Sequence, residues 1–176
     1  MNQLTLEQLA LEPRDWVLEV GFGGGDLLER ILDAGPTESV AGIDISPEMV
    51  RLASRRLQRY IRDGKLEVRC GDIEHIPYVA GEFSKLCSVN TIYFWENPAK
   101  ALVECRRVLK AGGQIVICFN SREDLEAWSI HRHGFRLYEV SEVENLLRAS
   151  GFGTVKVFSA NDADQGVFYC VSGVAI

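Results

Sequence analysis

The 176-residue chain contains no continuous apolar run of the ~18 residues that a membrane-spanning helix requires, and no charged-then-apolar leader of the secretory kind opens it. A cytoplasmic protein without membrane partners is therefore expected. There is no C-x-x-C pair either. The five cysteines, Cys70, Cys87, Cys105, Cys118 and Cys170, are odd in number and widely spaced, mostly inside apolar stretches. That pattern argues against a disulfide framework or metal-ligand spacing, so buried free thiols and no metal are expected. Positive charge is scarce: 19 Lys and Arg against 25 Asp and Glu give a formal net charge of −6. General nucleic-acid affinity, which needs Lys and Arg to neutralise phosphates, is disfavoured. One local exception, the row Arg51, Arg55, Arg59 and Arg62, reads as the solvated face of a helix. What remains is ordinary for one globular domain over residues 1–176, with 47% hydrophobic and 25% charged residues.

The stretch around which the chain is organised is VLEVGFGGGDLLERIL, Val17 to Leu32. A short apolar run carrying one acid, Glu19, breaks at Gly21, Gly23, Gly24 and Gly25, then resumes with helical spacing at Leu27, Leu28, Ile31 and Leu32. Strand, tight turn and helix follow. Glycine admits positive φ and close ligand approach, and the unpaired N–H groups of the following helix point into the same space. Asp26 stands where a dinucleotide fold places its third glycine, which disfavours a nicotinamide-dependent oxidoreductase.

Further along, Ser39 to Ile43 reads as a second strand ending at Asp44, and Ser46-Pro47 starts a helix whose buried stripe is Met49, Val50, Ala53, Leu57, Tyr60 and Ile61. Leu66 to Cys70 is a third strand, closed by Gly71-Asp72-Ile73. Phe83 to Val89 is a fourth, opening at Asn90 into Tyr93-Phe94-Trp95. Asn97-Pro98 starts another helix, which Lys110 to Gly113 stops, and Gln114 to Phe119 is a strand buried on both faces. Residues Asn120 to Tyr138 lack a clear period and read as a loop with a short helix, or as part of a lid. Ser141 with Glu144 forms a candidate capping box, and Thr154 to Phe158 with Val167 to Val174 form a closing hairpin.

This order predicts an α/β fold: a doubly wound Rossmann-like, mostly parallel sheet of seven strands, made mixed by the hairpin, in a three-layer αβα sandwich. The site is expected at the switch point between the first and fourth strands, where Glu19, Gly21, Gly23, Asp44, Asp72 and Asn90 would meet. Asp44 stands near the distance from the glycine turn at which an acid meets ribose hydroxyls. Asp44 and Asp72 also suit helix or turn caps, and Tyr93 to Trp95 suit either a core or an acceptor platform.

Together, Glu19-x-Gly21-x-Gly23-x-Gly25, GIDISPEM (Gly42 to Met49), GDIEHIP (Gly71 to Pro77) and RRVLKAGGQIVI (Arg106 to Ile117) resemble the class I S-adenosylmethionine-dependent methyltransferases in order and spacing, over nearly the whole chain. The resemblance implies S-adenosylmethionine as cofactor, with S-adenosylhomocysteine as product, and transfer of a methyl group to a small-molecule acceptor. It places Glu19, Gly21, Phe22, Gly23, Asp44, Ile45, Met49, Asp72, Ile73 and Asn90 at the cofactor. Asp44 would hold the ribose hydroxyls, Ile45 and Met49 would flank the adenine, and Asp72 would bond its amino group. Tyr93 and Trp95 are expected at the acceptor, and Tyr93, His131 and His133 are the candidates for catalysis. Only about sixteen residues precede the first strand. The acceptor site is therefore expected to be open to a large or flat substrate, closed by Asn120 to Tyr138, or covered by a partner protein or second subunit. A non-catalytic S-adenosylmethionine-binding or partner-activating module is the alternative.

Overall fold

A computed structural model describes residues 1–35, 37–127, 136–162 and 166–176. Five strands, β1 (Trp16–Val20), β2 (Ser39–Asp44), β3 (Leu66–Cys70), β4 (Phe83–Val89) and β5 (Leu109–Asn120), pair in parallel; β7 (Gly166–Ala175) runs antiparallel between β5 and β6 (Phe152–Asp162). The order is β3-β2-β1-β4-β5-β7-β6. From β1 the chain winds outward to β2 and β3, then returns to β4 on the other side. That reversal is the predicted switch point, at which the carboxyl ends of β1 and β4 part and leave a crevice.

Because successive strand residues face opposite ways, the sheet feeds two cores. On one face Val17, Val40 and Cys87 pack beneath α1 (Asn2–Leu9), α2 (Asp26–Ala34), α3 (Pro47–Arg56) and α4 (Gln58–Arg62). On the other, Leu18, Leu86 and Ile115 pack beneath α5 (Pro98–Val108), the short α6 (Arg122–Ala127) and α7 (Val140–Ala149). The two faces follow from connection handedness: right-handed crossovers leading in opposite directions from the centre place their helices on opposite sides.

Local chemistry explains the boundaries, and in places corrects those expected. The Ser46 hydroxyl accepts from Met49 N–H at 3.3 Å and Pro47 sits in the first turn of α3, as anticipated. The helical stripe is interrupted at Leu57, so two helices stand where one was expected. The capping box of α7 is Glu139 with Glu142, not Ser141 with Glu144: both reciprocal bonds are present, and Ser141 lies inside the first turn. Strand β5 begins at Leu109 and passes through the Lys110–Gly113 stretch, pairing Phe83 with Leu109 and Lys85 with Gln114 across a register shift. Both hairpin strands exceed the expected spans. Four of the cysteines are buried free thiols, while Cys70 is exposed. No helix among the described residues is long and apolar enough to cross a membrane. Arg59 pairs with Asp33, and Arg56 with Glu29 and Asp26, on a solvated surface.

Candidate functional site

The crevice at the switch point is a cleft of about 470 Å³, within the range of small-ligand sites. Its floor is made of strand ends. Gly21 continues β1 and donates its N–H to Ile43 O at 2.7 Å, with φ +74. A Cβ built on Gly21 would stand 2.4 Å from Thr91 Cγ2, so two features at once demand glycine there, the left-handed backbone and the close approach of the β4 turn. Gly23, at φ +51, would meet nothing within 4 Å, so its backbone looks onto open space.

Asp44, at the carboxyl end of β2, is 8% exposed and locked in place by two backbone donors. Gly23 N–H bonds Oδ2 at 2.8 Å and Ser46 N–H bonds Oδ1 at 2.9 Å. Each carboxylate oxygen has more than one acceptor direction, so Asp44 can still take hydroxyl donors from a ligand while it ties the glycine turn to the start of α3. Asp72 is more exposed; its Oδ1 accepts from Glu74 N–H at 2.9 Å, forming a turn that aims the acid and Ile73 at the cleft. Ile45, 73% exposed on the lip, and Ile73, buried, supply apolar walls.

The β4 side is built differently. Asn90 takes positive φ without being glycine, and its N–H bonds Cys118 O on β5 at 2.9 Å. The following residues form a 3-10 turn, Ile92–Phe94, which sends the three aromatic rings in different directions. Tyr93 turns inward and is 6% exposed; its phenol donates to Asn90 Oδ1 at 3.1 Å and accepts from Asn120 N–H at 2.5 Å. Burial pushes the Tyr93 hydroxyl well above the ordinary tyrosine range. Trp95 lines the cleft while almost buried, its indole N–H held by Thr91 Oγ1 at 3.2 Å. Phe94 is 65% exposed on the cleft wall.

Glu19 sits below the floor. It is 3% exposed, and its Oε2 has no partner among the described residues. Burial first, then the charges of Asp26 and Asp44, push its carboxyl up to about 8, against a hydrogen bond from the Leu28 backbone that pulls it down.

Of the sequence-predicted residues, then, Gly21, Asp44, Ile45, Asp72, Ile73, Asn90 and Trp95 gather around the cleft. Gly23 reaches it through Asp44. Phe22 does not: it is buried under β2, where a Cβ on Gly42 would stand 2.6 Å from its ring. Met49 packs with the α3 core and Tyr93 with the interior, neither among the lining residues. His131 and His133 lie outside the described residues. Thr91, Glu74 and Glu96 line the cleft without having been singled out, and Phe94, weighed only as a member of the aromatic run, lines it as well. Nothing local marks Thr91.

The residues present fit an adenosyl amino acid: a carboxylate anchored with acceptor capacity for hydroxyls, apolar walls in Ile45 and Ile73, and a side-chain-free turn for close backbone approach. Comparison with known proteins agrees. Residues 18–117 match the methyltransferase domain family. An uncharacterized methyltransferase of Bacillus subtilis, YdaC, is 34% identical over 123 residues, 70% of this chain and 66% of the relative. The ubiquinone/menaquinone biosynthesis C-methyltransferase UbiE of a Geobacter species is 31% identical over 117 residues, 66% of this chain and 50% of the relative. The chain thus spans half to about two thirds of the length of these relatives. Among solved structures, a methyltransferase in complex with the Haloferax volcanii Trm112 methyltransferase activator superposes with a TM-score of 0.87 at 22% identity, over 98% of this chain and 88% of that one. A SAM-dependent methyltransferase from Aquifex aeolicus gives 0.79 at 20% identity, over 99% and 89%.

The fold is that of the nucleotide-binding α/β proteins with a switch-point cleft. The chain belongs to the class I S-adenosylmethionine-dependent methyltransferases, whose cofactor is S-adenosylmethionine.

Proposed function

We propose that this chain transfers a methyl group from S-adenosylmethionine to a small organic acceptor by direct in-line displacement. The observation that carries the reading is Asp44, fixed by two backbone N–H groups at the mouth of the glycine turn with acceptor capacity left over. In this reading Asp44 takes the ribose hydroxyls, Asp72 the adenine amino group, and Ile45 and Ile73 the faces of the ring. Gly21, Gly23 and the Asn90 main chain border the amino-acid portion, and Glu19 lies behind them.

The bound cofactor supplies a methyl already activated by its positive sulfur, so the protein need not form a covalent intermediate. Its task is to align the nucleophile and exclude water, and orientation alone can lower such a barrier by several kcal/mol. Trp95 and Phe94 form the wall from which an acceptor approaches. Tyr93 spends its hydroxyl on Asn90 and Asn120, so it orders the β4 turn rather than removing a proton. An apolar and aromatic wall rimmed by Asp72, Glu74 and Glu96 suits a neutral small molecule better than a polyanion.

The test is transfer of a tritiated methyl group from the cofactor to fractionated small metabolites: label should appear in an organic product, and Asp44→Ala should lower the rate together with cofactor affinity. A second reading, a cofactor-binding module that works with a partner protein, is favoured by the fold likeness to a methyltransferase bound to its activator and by the exposed Ile45 and Phe94 at the cleft. Cofactor binding without labelled product in any fraction would favour it.

A further inference from the structure

Glu19 has no task in methyl transfer, yet its position is unusual. It points from β1 to the α2 face, beneath the turn that opens into the cleft, and one of its oxygens is buried without a partner. Among the described residues, the groups that act on it include no compensating positive charge. From α2 come Asp26 and the Leu28 backbone N–H, from β2 comes Asp44, and from β4 comes the Cys87 thiol, paired with Glu19 in register and itself raised by burial and by Glu19. The nearby arginines, Arg30 and Arg56, hold Asp26 on the outer surface of α2. A carboxylate so placed lacks a counter-ion among the described residues: Arg56 meets the turn from its outer side, donating from Nη1 to Gly24 O at 3.3 Å, and the cleft side of the turn is open to a positively charged ligand.

We propose that Glu19 is the residue that tells the charged cofactor from the neutral product: it releases its proton when a ligand carrying a net positive charge occupies the glycine turn, and takes a proton back when that charge is lost. The inference rests on the functional reading above. S-adenosylmethionine, with a sulfonium, an ammonium and a carboxylate, carries a net charge of +1; S-adenosylhomocysteine, a thioether zwitterion, carries none. Binding the first converts the Glu19 acid to carboxylate and one solvent proton. After the methyl has left, the carboxylate recovers one proton from solvent, so the cycle balances. The neutral product then rests against a protonated acid and gains nothing from Glu19, while the cofactor gains a counter-charge. The site thereby favours substrate over product without a contact specific to the methyl group.

The experiment is calorimetric titration of wild-type protein and Glu19→Gln with each ligand between pH 6 and 7, in buffers of different ionisation enthalpy; in that range the ligands' own ammonium groups keep most of their protons. Wild type should release close to one proton per S-adenosylmethionine and nearly none per S-adenosylhomocysteine. Its preference for the cofactor over the product should grow about tenfold per pH unit. Glu19→Gln should lose both the proton release and the pH slope. Infrared difference spectra of the wild type alone give an independent reading: the carbonyl band of a buried protonated acid should vanish with S-adenosylmethionine and persist with S-adenosylhomocysteine. Equal proton release for both ligands, a persistent band with both, or an unchanged slope in Glu19→Gln would overturn the inference while leaving the cofactor site standing. Failure of wild type to bind either ligand would remove the functional reading, and this inference with it.

Discussion

The two walls of the cleft are made of different material. The β1–β2 wall is backbone held by backbone and by one carboxylate: Gly21 N–H bonds Ile43 O, and Gly23 and Ser46 N–H bond the Asp44 side chain, while the glycines of the turn carry no side chain. On the β4 wall side chains are held by side chains, with Trp95 on Thr91, Thr91 on Ser88 and Tyr93 on Asn90. A backbone wall offers the same surface whatever the sequence around it, which suits a ligand that does not change. Substitutions on a side-chain wall can reshape it while the sheet stays intact.

The comparison can be broken first at Gly21. Gly21→Val combines a left-handed backbone that β-branched residues avoid with a collision against Thr91, together about 3–5 kcal/mol of destabilisation. Chemical denaturation should show that loss, and the melting response to S-adenosylhomocysteine should disappear. In a Gly21→Ala background, Thr91→Ser removes the colliding methyl and should restore part of the stability. No such rescue is expected for Gly23→Ala, which has no neighbour to clash with.

The next effect in size is the pH dependence from Glu19. A carboxyl raised from 4.5 to about 8 on folding contributes fully below pH 4.5, where both states are protonated. The folded state loses ground as pH rises from there toward 8, because the unfolded chain ionises while Glu19 does not. Between pH 5 and 8 this amounts to about 3 kcal/mol. Glu19→Gln, measured by denaturant unfolding across that window, should flatten this part of the profile and be the more stable protein at pH 8, relative to wild type, than at pH 5.

Asp44→Asn comes third. The amide keeps one acceptor oxygen, so one of the two N–H bonds that fix the turn is lost, at about 1–2 kcal/mol in stability and a comparable loss in cofactor affinity. Last is Phe94→Ala: an exposed ring should change stability by less than about 0.5 kcal/mol. Steady-state kinetics should show a several-fold rise in acceptor KM with the cofactor dissociation constant unchanged, and a change in the cofactor constant instead would erase the contrast between the walls.

The same contrast governs what could be read from the residues. The β1–β2 wall was legible because its demands are local: glycines at the turn, an acid closing β2, and Ser46-Pro47 opening α3 lie within one continuous stretch. The doubly wound sheet and the switch point between β1 and β4 followed from the alternation of elements with handed crossovers. On the β4 wall, Tyr93 turns inward because Asn120, twenty-seven residues later, presents an N–H to its hydroxyl, and no local pattern carries that. Phe22 was grouped with the cofactor residues by its place in the glycine motif, but the pleat sends it under Gly42. Glu139 displaced Ser141 as the cap of α7 because a carboxylate can accept the same N–H bond and stands at the residue where the helix begins. Strand β5 reaches back to Leu109 because that residue pairs with Phe83, while Lys110 to Gly113 form the irregularity between that pair and Lys85 with Gln114, where Gly112 keeps a positive φ.

The central claim is that the Asp44-held turn is the cofactor site. Titration of S-adenosylhomocysteine into isotopically labelled protein, followed by amide resonances, tests it most directly. The account predicts that Gly21, Gly23, Ser46 and Ile73 shift first and furthest, saturating with one binding constant that Asp44→Ala weakens. Saturable binding that leaves those four amides unmoved, while resonances elsewhere respond, would contradict it.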